Sequence, residues 1–257
     1  MLAPRLLIDG DIIAYKVAAS CEEAVDWGND FWTLHADAVE GKAQVDTFIG
    51  DLKDILSWNV GGLSVYLTGK ANFRTTISDE YKANRKHVRK PMILQALREH
   101  MMDKWGASLE DGIEADDLIG MAATAPEANG SIIVSVDKDF KSIPCRLYNP
   151  DKPEEGIVEV TKDEADRYHL YQTLVGDASD NYKGCPSVGP VKALKILDSC
   201  DSYEECWVKI LDSFDKAGLS SKHALVQARL ARILRDGDYD FESKKVKFWK
   251  PPVKKQK

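Results

Sequence analysis

In Ser131-Ile132-Ile133-Val134-Ser135-Val136-Asp137-Lys138-Asp139 a short apolar segment leads directly into two aspartates. A short apolar run this rich in β-branched residues reads as a strand buried on both faces, the kind found in parallel sheets. Nearer the N-terminus, Leu6-Leu7-Ile8 repeats the pattern and runs straight into Asp9-Gly10-Asp11, a strand ending in a turn. Residues 63–67 read as a third buried strand, and 31–34, 146–148 and 157–160 as weaker ones. Between them lie helical stretches at 12–19, 38–58, 92–105 and 115–125; the second carries Val45, Phe48, Ile49, Leu52, Ile55 and Leu56 on its apolar positions. This alternation predicts an α/β fold with a mostly parallel central sheet flanked by helices. Beyond about residue 161 the strands stop and the chain reads helical to about 235. The expected organisation is a catalytic core over 1–165, a helical module over 166–243 and a basic tail over 244–257.

Composition narrows the function. The chain has 257 residues, 44% of them hydrophobic, enough for a substantial core. It holds no apolar run of the roughly 18 residues a membrane span needs, so no membrane partner is expected. The acids Asp9 and Asp11 come too early for a secretory apolar region. Five cysteines (Cys21, Cys145, Cys185, Cys200, Cys206) form no CxxC pair and read as free thiols of a reducing cytoplasm. The five histidines have no metal-ligand spacing. A net charge of −7 speaks against a polyanionic partner until its distribution is considered. Lys70, Arg74, Lys82, Arg85, Lys86, Arg89 and Lys90 face only Asp79 and Glu80 over the same span, and the tail holds seven lysines and no acid. A basic strip beside acidic motifs suits an enzyme that grips phosphates and places metals on one of them.

The acids carry the chemistry. In open α/β sheets ligands bind at the carboxyl ends of the strands, where Asp9 and Asp137 both fall, each with a second aspartate two residues on. Continued strand geometry would put Asp137 and Asp139 on one face. Glu114-Ala115-Asp116-Asp117 opens a helix with three carboxylates in four residues, more than capping needs, and puts Glu114 and Asp117 on one face. Gly176-Asp177-Ala178-Ser179-Asp180-Asn181 adds another pair at i, i+3. Oxygen ligands without histidine or cysteine select Mg²⁺ or Mn²⁺ over zinc, and this many acids imply two ions. Two ions about 4 Å apart activate a water and stabilise a leaving oxygen, which points to metal-assisted phosphoester hydrolysis. Next comes Gly184-Cys185-Pro186-Ser187-Val188-Gly189-Pro190-Val191-Lys192, a Gly/Pro turn entering a helix. Its glycines allow close approach to a phosphate, its helix start offers free N–H groups, and Lys192 adds charge, so it suits sequence-independent contact with a DNA backbone.

Together these segments resemble the 5′-nuclease family: flap endonucleases, the 5′ nuclease domain of bacterial DNA polymerase I and, most closely, bacteriophage 5′→3′ exonucleases. The resemblance rests on Leu-Ile-Asp9-Gly, Tyr81-Lys82-Ala83-Asn84-Arg85, Glu114-Ala-Asp116-Asp117, Asp137-Lys-Asp139 and Gly-Asp177-Ala-Ser-Asp180-Asn with the following hairpin, in that order. It implies a PIN-like core, a helical arch over about 70–105 and a helix-hairpin-helix motif over about 174–197. It also implies that Asp9, Glu114, Asp116, Asp117, Asp137, Asp139, Asp177 and Asp180 hold two metal ions. Lys82 and Arg85 would contact the scissile phosphate, with Tyr15 stacking on the terminal base. Arg74, Gly184, Ser187, Val188, Gly189 and Lys192 would contact DNA, with K⁺ bound at the hairpin near Ser187. One departure stands out. The family places an acid after the second strand, but here that run is Leu67-Thr68-Gly69-Lys70, so Asp11 or Thr68 is expected to compensate at the first metal site.

The resulting expectation is a Mg²⁺-dependent 5′→3′ exonuclease acting on duplex DNA from a 5′ end, nick or flap. Removal of RNA from RNA/DNA hybrids is included, as is a monomer serving phage replication or recombination beside other replication proteins in the host cytoplasm. Two alternatives remain: a PIN-type endoribonuclease, against which the hairpin speaks, and a catalytically inactive structure-specific DNA-binding protein, suggested by the missing acid.

Overall fold

The computed structural model describes residues 5–56, 61–128 and 130–252. At its centre lies a five-stranded sheet of order β4-β1-β5-β6-β7, comprising β1 (Leu6–Asp9), β4 (Leu63–Tyr66), β5 (Ile132–Val134), β6 (Cys145–Tyr148) and β7 (Ile157–Val160). The first four are parallel to their neighbours, with Leu6 beside both Leu63 and Ile132, and β7 closes one edge antiparallel to β6. β1 and β5 are buried at every position, which explains their unbroken apolar sequence. The expected fold class stands: a mostly parallel sheet covered by helices.

One face of the sheet packs against α1 (Gly10–Ser20), α2 (Ala38–Leu56) and α3 (Leu94–Trp105). Val45, Ile49 and Leu52 of α2 meet Leu97 and Met101 of α3 in this layer. The expected end of α2 at 58 lies outside the described residues. On the other face are α4 (Ala115–Thr124) and, from the far end of the chain, Ile233 and Leu234. Between α1 and α2 stands a hairpin of β2 (Glu23–Asp26) and β3 (Trp32–His35); β2, nearly all exposed, carried no strand pattern to read.

The chain after β7 forms α5 (Lys162–Val175), α6 (Pro190–Asp198), α7 (Tyr203–Lys216) and α8 (Ser221–Ala231) around a core that includes Leu170, Leu174, Ile210 and Phe214. A short hairpin follows, β8 (Tyr239–Asp240) with β9 (Lys245–Val246).

Two expectations need correction, and the basic tail proves to be packed onto the fold. The stretch 70–105 is helical only in α3; before it lie turns and 3₁₀ segments at Phe73–Thr76 and Ala83–Arg85. Here the chain is anchored instead of spanning freely, because Arg74, Tyr81 and Lys82 are drawn onto buried acids. The basic tail is not free through its described part: Trp249 packs edge-on against His169 and Trp207, and Phe248 lies beside Phe73. Finally, β5 stops at Val134 and Asp137 caps the 3₁₀ segment Lys138–Ser142, so Asp137 and Asp139 do not alternate along a strand.

Candidate active site

Asp9 ends β1, where its carboxylate accepts the Ile12 N–H at 3.3 Å, capping α1, and the Ser135 hydroxyl at 3.0 Å. Burial pushes it up to about 6 despite those donors. Asp116, in the first turn of α4, is raised well above the ordinary carboxylate range by burial and by the charges of Asp9, Asp137 and Glu114. Asp137 accepts the Asp139 N–H at 2.8 Å and is likewise raised, chiefly by burial. Asp139 reaches about 7 through burial and the charges of Asp137 and Asp177, while Gln172 donates its Nε2–H to it at 2.8 Å. Four carboxylates from three distant segments therefore share a low-dielectric edge of the sheet and oppose one another's ionisation.

The cations reach this edge from the 3₁₀ segment at 83–85. Lys82 has φ +53, a strained setting for a side-chain-bearing residue, and its N–H donates to the Asp180 carbonyl at 2.9 Å. Its ammonium pairs with Glu114 and lies 3.6 Å from Asp180. Burial would lower the Lys82 pKa, but Glu114, Asp180 and Asp116 raise it. For Glu114 the same contacts outweigh burial: Lys82 and Arg74 bring it down to about 2. Arg85 bonds Asp180 at 2.6 Å and the Ser179 carbonyl at 3.0 Å. Asp177 accepts Ser179 N–H and pairs with Lys138 at 3.0 Å; these donors outweigh burial and lower its pKa.

Seven of the eight acids proposed as metal ligands therefore gather at one edge, together with Lys82 and Arg85. Among the described residues no three acidic, histidine or cysteine side chains converge on a point that could hold an ion. The Lys82 ammonium acts on Asp9, Glu114, Asp116 and Asp137 and lies beside Asp180, while Lys138 acts on Asp139 and Asp177. The donor chemistry nonetheless fits a hard divalent cation: the ligands are all oxygens, and four of the carboxylates are held short of free ionisation by burial and each other.

Asp117 is the exception. It is fully buried, takes a two-pronged bond from Arg74 at 2.8 Å on each oxygen, and accepts Leu234 N–H at 3.0 Å. Its lone pairs are spent on the fold. Arg74 is correspondingly 3% exposed and also donates to the Leu230 carbonyl, so it cannot touch DNA. Asp11, the acid expected to compensate at the first metal site, pairs with Arg98 of α3 and accepts Thr68 N–H at 2.7 Å. The Thr68 hydroxyl accepts Ala115 N–H at 3.0 Å, holding the start of α4.

In the hairpin, Gly184 has φ +65, and a Cβ there would lie 2.4 Å from Gly176 N and Leu174 O. Its glycine serves backbone-to-backbone packing inside the module, not a phosphate. Val188 is buried in the module core, so its side chain is withdrawn from any ligand. Ser187, Gly189 and Lys192 are exposed, and Lys192 donates to the Ser187 carbonyl at 3.3 Å. Tyr15 is 47% exposed on α1, so it is no core tyrosine. Sequence reading missed Tyr81, whose hydroxyl lies 2.9 Å from Glu114 and 2.8 Å from Asp180, along with Ser135, Gln172 and Arg98. Tyr81 and Ser135 lie inside the motif stretches; Gln172 and Arg98 carry no local signal.

The family model for the 5′-3′ exonuclease N-terminal, resolvase-like domain matches residues 5–145. The exodeoxyribonuclease of Enterobacteria phage T3 is 28% identical over 288 residues, spanning 96% of this chain and 92% of that protein. The exonuclease of Escherichia phage T7 is also 28% identical, spanning 96% and 93%. A flap endonuclease of bacteriophage T5, solved as a pseudo-enzyme-product complex with DNA and metal ions, shares the fold with a TM-score of 0.59 at 16% identity, covering 88% of this chain and 89% of that one. With its parallel sheet, its acids at the strand ends and a domain match over more than half its length, the chain belongs to the 5′-3′ exonuclease family of nucleases.

Proposed function

We propose that the protein is a divalent-metal-dependent 5′→3′ exonuclease that hydrolyses duplex DNA from 5′ ends, nicks or flaps. The observation that carries this reading is the mutual repulsion of Asp9, Asp116, Asp137 and Asp139 at one sheet edge beside Lys82. Its resemblance over nearly full length to phage exonucleases supports the same conclusion. Asp9, Glu114, Asp116, Asp137 and Asp139, with Asp177 and Asp180 beside them, are the residues that would hold Mg²⁺ or Mn²⁺. Bound there, such ions would lower the pKa of water and offset charge on the phosphate. Lys82 and Arg85 would leave Glu114 and Asp180, neutralising charge developing on the scissile phosphate as ions take their place on those acids. Ser187, Gly189 and Lys192 would meet the duplex backbone, with K⁺ held at the hairpin by Ser187 and neighbouring carbonyls, and Tyr15 would stack on an unpaired base. Flap cleavage, RNA-primer removal and work as a monomer in phage replication within the host cytoplasm complete the reading.

A second reading, structure-specific DNA binding without cleavage, is favoured by the Lys82–Glu114 pair and by the lack of an acid after β4. Digestion of 5′-labelled duplex, single-stranded DNA and RNA with Mg²⁺ or EDTA separates the two. Metal-dependent release of label from duplex, lost in Asp137→Ala, is the expected result. Binding without release would establish the second reading.

A further inference from the structure

Beside the acids lies a cavity of about 540 Å³ that none of the proposed catalytic steps uses. Its lining includes Asp137, Lys138 and Lys141, the aliphatic Leu147 of β6 and Val158 of the edge strand β7, and Tyr168 of α5. The Tyr168 ring is held in place by Tyr171, stacked at 5.7 Å and 29°. We propose that this cavity is a binding site for a nucleoside 5′-monophosphate, the product class of the proposed nuclease. The base would lie between Tyr168 and the aliphatic Leu147 and Val158, and the phosphate would meet Lys141.

The size fits a single small ligand. A lining with an aromatic ring and aliphatic side chains suits a planar base, since stacking accepts any base. The charge pattern selects one nucleotide over a longer strand. Of the lining lysines, Lys138 pairs with Asp177 and Lys152 with Glu155, whereas Lys141 has no carboxylate partner among the described residues. It is therefore the lining lysine free for a phosphate. The lining also carries Glu159 and Glu164, which would repel the further phosphates of a continuing strand. Because Lys141 holds the phosphate, no metal is needed for binding.

The nuclease reading supplies only the identity of the ligand, so the test separates the two ideas. Titration calorimetry of the full chain with dAMP in EDTA is expected to show saturable binding. Lys141→Ala, an exposed surface change, and Val158→Trp, which fills the cavity, are each expected to weaken it about tenfold or more. Metal-dependent cleavage of labelled duplex, measured on the same preparations, is expected to persist in both variants. Unchanged dAMP affinity in both variants overturns the proposal, as does binding that disappears in EDTA and returns with Mg²⁺, which would put the nucleotide on the acids instead. Deoxyadenosine binding as tightly as dAMP would also overturn it, by removing the role of Lys141. A wild type that cleaves DNA but does not bind dAMP sinks this inference alone, and one that binds dAMP but does not cleave sinks the nuclease reading alone.

Discussion

Arg74 and Asp117 show how a single side chain changes meaning once its surroundings are known. Asp117 was expected to hold a metal and Arg74 to contact DNA, yet their charges are spent on each other and on the backbone of 230–234. Arg74→Ala would leave the Asp117 charge buried without its partner, and the expected loss is about 3–5 kcal/mol of stability, read from urea unfolding. A merely surface role would leave the midpoint unmoved. The titrating acids give a second prediction. Asp9 at about 6 and Asp139 at about 7 lie above their ordinary value of 3.8, so the metal-free fold keeps protons that the unfolded chain has already released. Stability therefore falls as pH rises from about 4 to about 7. Glu114, held at about 2 against an ordinary 4.5, acts oppositely: its contribution is complete above pH 4.5 and fades as pH falls towards 2. In EDTA the melting temperature is expected to be higher near about pH 5 than about pH 8, and Mg²⁺ is expected to raise it chiefly at the higher pH. An equal Mg²⁺ shift at both would argue against these acids as the binding groups.

At the scale of elements, the two hairpin glycines part company. Gly184 lies against the backbone of Gly176 at positive φ, whereas a Cβ at Gly189 would meet nothing within 4 Å. Gly184→Ala is expected to cost more than about 2 kcal/mol through overpacking and backbone strain. Gly189→Ala should leave the unfolding midpoint nearly unchanged while weakening duplex binding, if that residue meets the DNA backbone. Equal stability of the two variants would show that the close approach at Gly184 is relaxed in solution. Most elements were legible in advance: β1, β4, α1, α2, α4 and the helical run after β7 each carry an apolar rhythm. The 3₁₀ segments and β2 were not, because the former are held by distant acids and the latter is too exposed to have a rhythm.

Across the whole molecule, a division at 165 separates residues that the fold joins. Ile233 and Leu234 return to the α4 side of the sheet, Arg235 bonds the Ser142 carbonyl at 2.7 Å, and Gln172 of α5 supports Asp139. A fragment of residues 1–165 would strand the Arg74–Asp117 pair without its carbonyl and N–H partners. It is expected to lack a cooperative unfolding transition, while the full chain unfolds in a single one. Truncation within the tail separates along the same lines. Ending at 252 keeps Trp249 on His169 and Trp207 and should change only the salt dependence of DNA binding. Ending at 241 removes that packing and should lower the melting temperature as well.

By itself the sequence determined the alternating α/β pattern, the buried parallel strands and the placing of Asp9 and Asp137 near their ends. Each depends on neighbours within one strand or turn, so each leaves a local mark. Which acids belong to the candidate site and which to the fold depends on contacts between distant segments. Asp116 and Asp117 are adjacent in one helical turn, yet one faces Asp9 and Asp137 while the other faces Arg74. A helix turns about 100° per residue, so neighbours in sequence point to different partners, and what stands on each side comes from distant chain, 43 residues away for Arg74 and 117 for Leu234.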